Sequence, residues 1–253
     1  MDTPAPKKFN ILLIGDTCID VYRYGTIDRL SPEAPVPVFV PTFKEEREGM
    51  AGNVAKNLEA LGCTVNLLCG EPSIKTRLID QRSQQQIVRI DDDIKAEPIR
   101  FETMIPPYDA VVISDYGKGV VDYELVEDII EQSAGGTKYP VFIDTKLTDL
   151  ERMQGAWVKI NEPEYNRIKS ECTGLIVTRG ARGAEVPHHD IVEFVPPVEV
   201  VDVTGAGDTF LAALTYQFLV TKNIRMAVAF ANRAAAVTVQ HLGVYAPTLG
   251  EIQ

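Results

Sequence analysis

A glycine-rich stretch ahead of a helix-forming segment has the clearest chemical potential. Its residues Gly205-Ala206-Gly207-Asp208 run directly into an apolar segment of helical spacing. Glycines at a helix start let the backbone approach an anion, and the first N–H groups of a helix have no partners within it. We therefore expect these glycines and Ala206 to form an anion hole. Asp208, in the first turn, is placed to accept a proton from a hydroxyl that attacks a phosphorus atom.

Two other interpretations of this stretch remain open from the residues alone. Asp and Gly are common at helix starts, so Asp208 could simply cap the helix. A dinucleotide-binding turn is a second alternative, but the stretch lacks the third glycine and lies late in the chain. A Walker-type phosphate loop is excluded, because no Gly-Lys-Ser or Gly-Lys-Thr occurs in the sequence.

Composition limits the classes of protein to consider. The 253 residues are 45% hydrophobic, which suits one α/β domain over residues 1–253. The net charge of −11 argues against nucleic acid as a partner. No apolar run approaches the ~18 residues of a membrane span, and the N-terminus lacks a signal pattern, so we expect a cytoplasmic protein without membrane contact. The four cysteines form no Cys-x-x-Cys pair, so neither a zinc site nor a disulfide framework is expected.

Apolar runs of strand length alternate with segments of helical period along most of the chain. This alternation predicts an α/β fold with a mostly parallel central sheet wrapped by helices. The predicted strands are 9–14, 64–69, 110–114, 141–144 and 175–178, and the predicted helices are 53–61, 123–132 and two within 206–239.

Two stretches interrupt the alternation. Residues 22–43 contain four prolines, and residues 77–90 alternate apolar with polar side chains. Prolines at this density belong at sheet edges and in turns. We expect a small accessory β-sheet, with strands from about 17–50 and 76–92, that serves as a lid.

Several motifs together resemble the ribokinase-like (PfkB) carbohydrate kinases. Residues 202–210 resemble the C-terminal signature of that family, and Gly49-Met50-Ala51-Gly52-Asn53 resembles its N-terminal glycine signature. More narrowly, residues 20–25, 29–38 and 114–119 (Ser-Asp-Tyr-Gly-Lys-Gly) are similar to the heptose-7-phosphate kinase branch. The motifs follow in the same order over nearly the whole chain, which is more specific than any one of them.

This resemblance implies a ribokinase-like three-layer sandwich that catalyses ATP-dependent phosphoryl transfer to a sugar hydroxyl. On the heptose branch the reaction converts heptose 7-phosphate to heptose 1,7-bisphosphate. The implied cofactors are ATP and Mg²⁺, with a monovalent cation left open, and the implied partners are a small sugar or sugar phosphate and a second copy of the chain. A kinase for another sugar or a nucleoside, and a non-catalytic sugar- or nucleotide-binding homologue, remain alternatives.

The resemblance also implies roles for individual residues. Asp208 is the base, and Asn161 and Glu164 match an Asn-x-x-Glu element that helps to place magnesium and phosphates through water, although a polar helix cap is an open alternative. Residues implied on the nucleotide side are Thr178, Gly180, Gly183 and Asn232. Residues implied on the sugar side are Asp16, Gly49, Gly52, Asn53, Arg77, Arg89 and Lys118. Arg23 and Arg82 are further candidates for the substrate's phosphate, and an exposed lid arginine or a surface turn remains open for each basic residue.

The sequence departs from the family at two places. Met50 replaces the second glycine of the N-terminal signature, so we expect a reshaped sugar pocket. After Gly70 the chain passes almost at once to the next motif, whereas relatives have another stretch of roughly 30 residues, on the scale of a βαβ unit. A missing edge strand and helix would thin one side of the sheet.

Overall fold

The computed structural model describes residues 8–100, 108–134 and 139–252, so residues 1–7, 101–107, 135–138 and 253 of the predicted domain lie outside it. Its strands are β1 (Asn10–Gly15), β2 (Thr17–Leu30), β3 (Pro37–Met50), β4 (Thr64–Leu68), β5 (Ser73–Asp80), β6 (Gln86–Asp92), β7 (Ala110–Ser114), β8 (Val141–Asp144), β9 (Trp157–Asn161), β10 (Leu175–Thr178), β11 (Ala184–Val186) and β12 (Ile191–Glu193). Its α-helices are α1 (Ala51–Ala60), α2 (Tyr123–Ala134), α3 (Glu162–Tyr165), α4 (Ala206–Thr221) and α5 (Ile224–Thr238).

The larger sheet has the strand order β12-β11-β10-β9-β8-β7-β1-β4. The strands from β10 to β4 run parallel to one another, and β11 and β12 add an antiparallel edge. Parallel strands covered on both faces are apolar along their whole length. Residues 11–15 of β1 and all of β7 and β8 are accordingly buried. The predicted strands at 110–114, 141–144 and 175–178 are confirmed at their bounds.

Helices cover both faces of this sheet. Ile11 and Leu13 of β1 point into a core shared with α1, α4 and α5. Leu12 and Ile14 point into a second core shared with α2. Burying each such side chain stabilises the fold by about 1.5–3 kcal/mol. The expected three-layer sandwich is thus confirmed, and it fixes the carboxyl ends of the parallel strands at one edge.

The accessory sheet is also confirmed, with the order β3-β2-β5-β6. Its pairs are antiparallel except for β2 with β5. The prolines lie where a missing N–H is tolerated: Pro37 begins the edge strand β3, and Pro41 pairs with Gly25 at a register shift. The strands occupy 17–50 and 73–92, three residues earlier than expected at one end. We call this sheet the lid.

The shortened segment after Gly70 affects the edge of the larger sheet. Strand β4 is the last strand on its side among the described residues, and only residues 69–72 connect it to β5 of the lid. The sheet therefore ends where the longer relatives were expected to continue.

Met50 occupies a backbone conformation that favours glycine. It lies between β3 and α1 with φ 55° and ψ −129°, and it is 5% exposed. A non-glycine residue held in such a region costs about 1–3 kcal/mol, so the neighbouring structure maintains the conformation despite the side chain. The junction between β3 and α1 therefore has the backbone conformation typical of glycine, although residue 50 is a methionine. The expected change in the sugar pocket stays a prediction.

Among the described residues, no helix is long and apolar enough to cross a membrane.

We expect the lid to close over bound ligands, because its strands β2 and β3 connect directly to β1 and α1 at the edge where the parallel strands end. Hydrogen exchange measured by mass spectrometry should slow in residues 17–30 and 73–80 when a sugar phosphate and a non-hydrolysable ATP analogue are bound together. Strand β8, which is buried in both states, serves as the internal control. Equal exchange in the lid with and without ligands would contradict closure.

Candidate active site

Polar side chains follow five parallel strands at the same edge of the larger sheet. They are Asp16 after β1, Asp115 after β7, Asp144 at the end of β8, Asn161 at the end of β9 and Thr178 at the end of β10. In open α/β sheets this edge forms the ligand-binding crevice. The beginning of α4 faces the same crevice, which brings distant parts of the sequence together.

The start of α4 packs closely enough to require glycine. Gly205 is the N-cap with φ 79°, and a Cβ atom there would lie 2.7 Å from Asn53 Nδ2. A Cβ atom on Gly207 would lie 2.9 Å from the ammonium nitrogen of Lys159. The two glycines therefore let the positive end of the helix approach both the sugar-side amide and a buried cation.

Asp208 is 5% exposed, and both of its carboxylate oxygens accept hydrogen bonds. Asn53 Nδ2 donates to Oδ2 at 2.8 Å, and the Tyr116 hydroxyl donates to Oδ1 at 2.6 Å. Burial raises the pKa of Asp208 to about 6, and the two hydrogen bonds oppose that shift. The helix cap is Gly205, with no side-chain cap bond. The geometry therefore favours the general-base interpretation over a simple cap.

A buried ion pair lies beside this carboxylate. Lys159 Nζ is 2.6 Å from Asp144 Oδ2, and the two residues are register partners on β9 and β8. They are 4% and 6% exposed. The Asp144 charge raises the pKa of Asp208, whereas the Lys159 charge lowers it. This pair is thus part of the electrostatic environment of the candidate base.

Asp16 holds a loop in this structure. Its carboxylate accepts backbone N–H groups from Tyr116 at 2.8 Å, Lys118 at 3.0 Å and Val120 at 3.1 Å. The residue is 1% exposed. Oδ2 accepts two of these bonds and Oδ1 accepts one, so one acceptor position remains, on Oδ1, for the expected sugar hydroxyl. That contact stays a prediction.

The two signature glycines Gly49 and Gly52 permit close packing where the lid joins α1. A Cβ atom on Gly49 would lie 2.6 Å from Asp20 Oδ2 and 2.7 Å from Cys18 Sγ. A Cβ atom on Gly52 would lie 2.9 Å from Glu48 Cβ. Packing thus explains both glycines, and their contact with substrate stays a prediction.

The lid presents a charged face towards the crevice. On it, Arg77 forms a largely buried ion pair with Asp20, and its guanidinium lies 5.1 Å from the ring centre of Tyr22. Arg89 lies directly opposite Arg77 on the neighbouring strand and bonds Asp91. Arg47, which the sequence analysis did not select, lies 5.0 Å from the same Tyr22 ring.

The structure separates the other basic candidates from this face. Arg23 pairs with Leu78, the residue that follows Arg77 on β5. Successive residues of a strand point to opposite faces, so Arg23 points to the opposite side of the lid from Arg77. Arg82 lies in the turn after β5 and forms an exposed ion pair with Asp28. Lys118, on the loop that Asp16 holds, lies 2.6 Å from Asp93 Oδ2. Arg23 and Arg82 therefore lie away from this face, and their contact with the substrate's phosphate stays a prediction.

The residues expected on the nucleotide side line one cavity of about 510 Å³. Its walls are largely apolar, with valines of the 195–203 segment and Phe210 of α4. Asn232 lies at the wall, where its side-chain amide donates to the Glu193 carbonyl oxygen at 2.8 Å. The lining residues that the sequence analysis selected are Thr178, Gly180, Gly183, Ala206, Gly207 and Asn232.

Asn161 and Glu164 form a reciprocal helix cap at α3. Asn161 Oδ1 accepts the Glu164 N–H at 2.9 Å, and Glu164 Oε2 accepts the Asn161 N–H at 2.8 Å. The Lys146 ammonium pairs with the other Glu164 oxygen. The capping alternative is thus realised in this structure. Each carboxylate oxygen retains a second acceptor position for a metal-bound water, so the metal role stays a prediction.

Sequence reasoning missed Tyr116, Asp144 and Lys159, which bond Asp208 or shift its pKa, and Lys146, which lies 5.4 Å from the Tyr116 ring centre. Tyr116 was quoted as part of a motif but given no role, and Lys146, Lys159 and Asp144 were not selected. A lysine inside the apolar strand β9 and charged residues at the end of β8 were available signals, because the strand ends of an α/β sheet line its crevice.

Comparison with known proteins places these observations in context. The profile of the pfkB family carbohydrate kinases matches residues 70–249. The bifunctional protein HldE of a Nitratiruptor species is 36% identical over 97% of this chain, which spans 64% of that relative's length. The D-beta-D-heptose 7-phosphate kinase of Bordetella bronchiseptica is 32% identical, covering 98% of this chain and 97% of the relative.

That alignment runs over 311 positions, so the Bordetella relative has segments for which this 253-residue chain has no counterpart. The fold is similar to Arabidopsis thaliana ribokinase complexed with ribose and ATP, with a TM-score of 0.69 at 16% identity, covering 97% of this chain and 98% of the other. It is also similar to the Thermotoga maritima ribokinase, with a TM-score of 0.67 at 16% identity, covering 96% and 98%.

We expect Lys159→Met to destabilise the protein by about 3–5 kcal/mol, because it leaves the Asp144 carboxylate buried without its cation. Urea unfolding followed by circular dichroism measures the change. The double variant Lys159→Met/Asp144→Asn should recover part of the loss, since it removes the uncompensated charge. Arg152→Met, which breaks an exposed pair with Glu127, should cost less than about 1 kcal/mol. Equal losses for Lys159→Met and Arg152→Met would show that burial of the Lys159–Asp144 pair adds nothing to its importance for stability.

Proposed function

Because this chain belongs to the pfkB family of carbohydrate kinases, we propose that it transfers the γ-phosphoryl group of ATP to a sugar hydroxyl, with Asp208 as the base. One observation carries the assignment of the base. Asp208 is buried at the start of α4, where glycines expose the positive end of the helix, and both of its oxygens are held by hydrogen-bond donors.

In the proposed reaction the sugar oxygen attacks the γ-phosphorus of ATP. A new oxygen–phosphorus bond forms, the bond between the γ-phosphorus and the β,γ-bridging oxygen breaks, and ADP leaves with that electron pair. The hydroxyl proton passes to the Asp208 carboxylate. The N–H groups at Gly205 and Gly207 stabilise the charge on the transferred group, because phosphoryl transfer depends mainly on positioning and electrostatics. The Ala206 N–H joins them by leaving the Val203 carbonyl oxygen, to which it donates at 3.3 Å in this structure.

The nucleotide occupies the apolar cavity beside α4 in this proposal. Its volume of about 510 Å³ falls within the range of about 300–1,000 Å³ that small-molecule sites have. Thr178, Gly180, Gly183 and Asn232 contact the nucleoside part, and the apolar walls suit a purine ring. Gly207 lines the same cavity, so a nucleotide bound there has a path for its phosphates to the anion hole.

Magnesium would be held through water by Glu164 and Asn161. Both residues retain acceptor capacity beyond their capping bonds, and hydrated Mg²⁺ prefers oxygen ligands with few direct protein contacts. When bound, the ion would neutralise charge on the ATP phosphates. The Lys146 ammonium, paired with Glu164, lies beside the same position.

The proposed acceptor is heptose 7-phosphate, with heptose 1,7-bisphosphate as the product. The names of the relatives suggest this substrate, and the charged lid face supports a phosphorylated sugar. Arg77 and Arg89 stand directly opposite each other on paired strands, Arg77 bonded to Asp20 and Arg89 to Asp91. A guanidinium has five N–H donors, more than one carboxylate uses, so both groups can also bind phosphate oxygens. Arg47 points to the same side. A nucleoside lacks the phosphate that this face suits, and a non-catalytic binder would not need a buried carboxylate poised at the anion hole.

We expect Asp208→Asn to lower kcat by about 10²–10⁴-fold, because the amide cannot accept the proton. A coupled assay of ADP release over heptose 7-phosphate, fructose, ribose and nucleosides measures both the loss and the substrate preference. Asp28→Asn, an exposed lid carboxylate paired with Arg82, is the matched control. Near wild-type turnover in Asp208→Asn would exclude it as the base, and turnover of nucleosides but not sugar phosphates would exclude the proposed substrate.

A homodimer formed through the outer face of the lid is also proposed. Ile74, Val88 and Ile90 on that face are 38–47% exposed, and clustered apolar side chains on a surface mark protein contacts. Sedimentation velocity should give a dimer for the wild type and a monomer for Val88→Asp/Ile90→Asp. A wild type that sediments as a monomer at micromolar concentration would exclude this interface.

A further inference from the structure

Tyr116 makes the shortest hydrogen bond to the candidate base. Its hydroxyl donates to Asp208 Oδ1 at 2.6 Å, across 92 positions of sequence. The residue belongs to the Ser-Asp-Tyr-Gly-Lys-Gly stretch after β7. Tyr116 is not one of the residues assigned to the anion hole, and it does not line the nucleotide cavity.

The loop that carries Tyr116 is rigidly held by two buried carboxylates. Asp16 accepts the backbone N–H of Tyr116 itself. Asp115 accepts the Thr145 hydroxyl at 2.6 Å and the Gly117 N–H at 2.7 Å. Gly117 has φ 70°, a conformation in which glycine is favoured. The position of the Tyr116 hydroxyl is therefore determined by the fold.

The remaining neighbours of Tyr116 fit this placement. A Cβ atom on Gly119 would lie 2.1 Å from the Ala96 carbonyl oxygen, so the end of the loop also packs against backbone. The Lys146 ammonium lies 5.4 Å from the Tyr116 ring centre. The ring is thus enclosed between the loop, Lys146 and Asp208.

We propose that Tyr116 is a positioning residue whose hydroxyl holds the Asp208 carboxylate in the orientation and charge state that accept the sugar proton. This inference rests on the proposed phosphoryl transfer. A carboxylate oxygen has two acceptor positions, and Tyr116 and Asn53 occupy one on each oxygen. One position on each remains for the incoming hydroxyl.

The charges around Asp208 make such a donor necessary. Burial, joined by the Asp144 charge, raises the pKa of Asp208 to about 6. The bonds from Asn53 and Tyr116 and the charge of Lys159 act in the opposite direction. Cys18 also faces the group, but burial raises the pKa of its thiol to about 11, so it is neutral near pH 7.

Tyr116 does not itself serve as the base. Burial, followed by the neighbouring Asp208 charge, holds the pKa of its hydroxyl well above the usual value. It therefore remains protonated and able to donate throughout the pH range in which Asp208 titrates. A group that stays protonated can orient a carboxylate but cannot take a proton from the sugar.

The test first removes the Tyr116 hydroxyl and, in a second protein, makes it a stronger hydrogen-bond donor. Tyr116→Phe removes the donor and keeps the ring. Since a hydrogen bond to a charged group is worth about one pKa unit or more, the pKa of Asp208 should rise by about one unit. Replacement of Tyr116 by 3-fluorotyrosine makes a stronger donor and should lower it. Carboxyl ¹³C NMR of aspartate-labelled protein, with the Asp208 signal assigned by its loss in Asp208→Asn, measures these shifts without turnover.

Kinetics provide the second measurement. The acidic limb of the plot of kcat against pH should shift to higher pH in Tyr116→Phe and to lower pH in the fluorotyrosine protein. KM for ATP should be unchanged in both. Tyr108→Phe is the matched control, because Tyr108 bonds Asn66 at the opposite end of β7. An Asp208 pKa that is the same in all these proteins would overturn the proposal. A protein that shows the NMR shifts but phosphorylates no sugar would instead refute the proposed function and leave the Tyr116 contact intact.

Discussion

Four carboxylate groups are buried at the carboxyl ends of the central parallel strands and at the start of the helix that faces them: those of Asp16, Asp115, Asp144 and Asp208. A buried charge is stable only when hydrogen-bond donors or an opposite charge compensate it. Two of these groups accept backbone N–H groups of the loop that begins at residue 115, one pairs with a lysine ammonium, and the fourth accepts an amide and a phenol. Much of the architecture of the crevice follows from this need for donors.

In the proposed reaction the same crevice admits a triphosphate, although the chain carries a net charge of −11. The solution is local. The positive end of α4 and the Lys159 ammonium approach the same point, because Gly207 leaves room for both. On the other side, the lid places Arg77 and Arg89 opposite each other, with Asp20 and Asp91 as their respective carboxylate partners. The buried surroundings of Lys159, which is 4% exposed, strengthen its electrostatic interaction with an anion at this point.

The shortened chain retains this arrangement while losing material at the periphery. Strand β4 is left at the sheet edge, and a four-residue connection takes the place expected for a longer segment. The strands that carry the buried carboxylates lie further in, and both faces of the sheet remain covered. The junction between β3 and α1 also tolerates a change. It keeps a positive φ at residue 50 although Met50 carries a side chain that disfavours this backbone conformation.

The sequence by itself determined the strands at 110–114, 141–144 and 175–178, because parallel strands buried on both faces are continuous apolar runs. It also located the glycines at the start of α4 and the buried Asp208, which are neighbours in the chain. It did not determine that Arg77 faces the crevice while Arg23 faces away, since that depends on strand register. Nor did it show that Tyr116 reaches Asp208. Contacts between residues far apart in the chain depend on how loops and strands are assembled, and only the tertiary structure decides that.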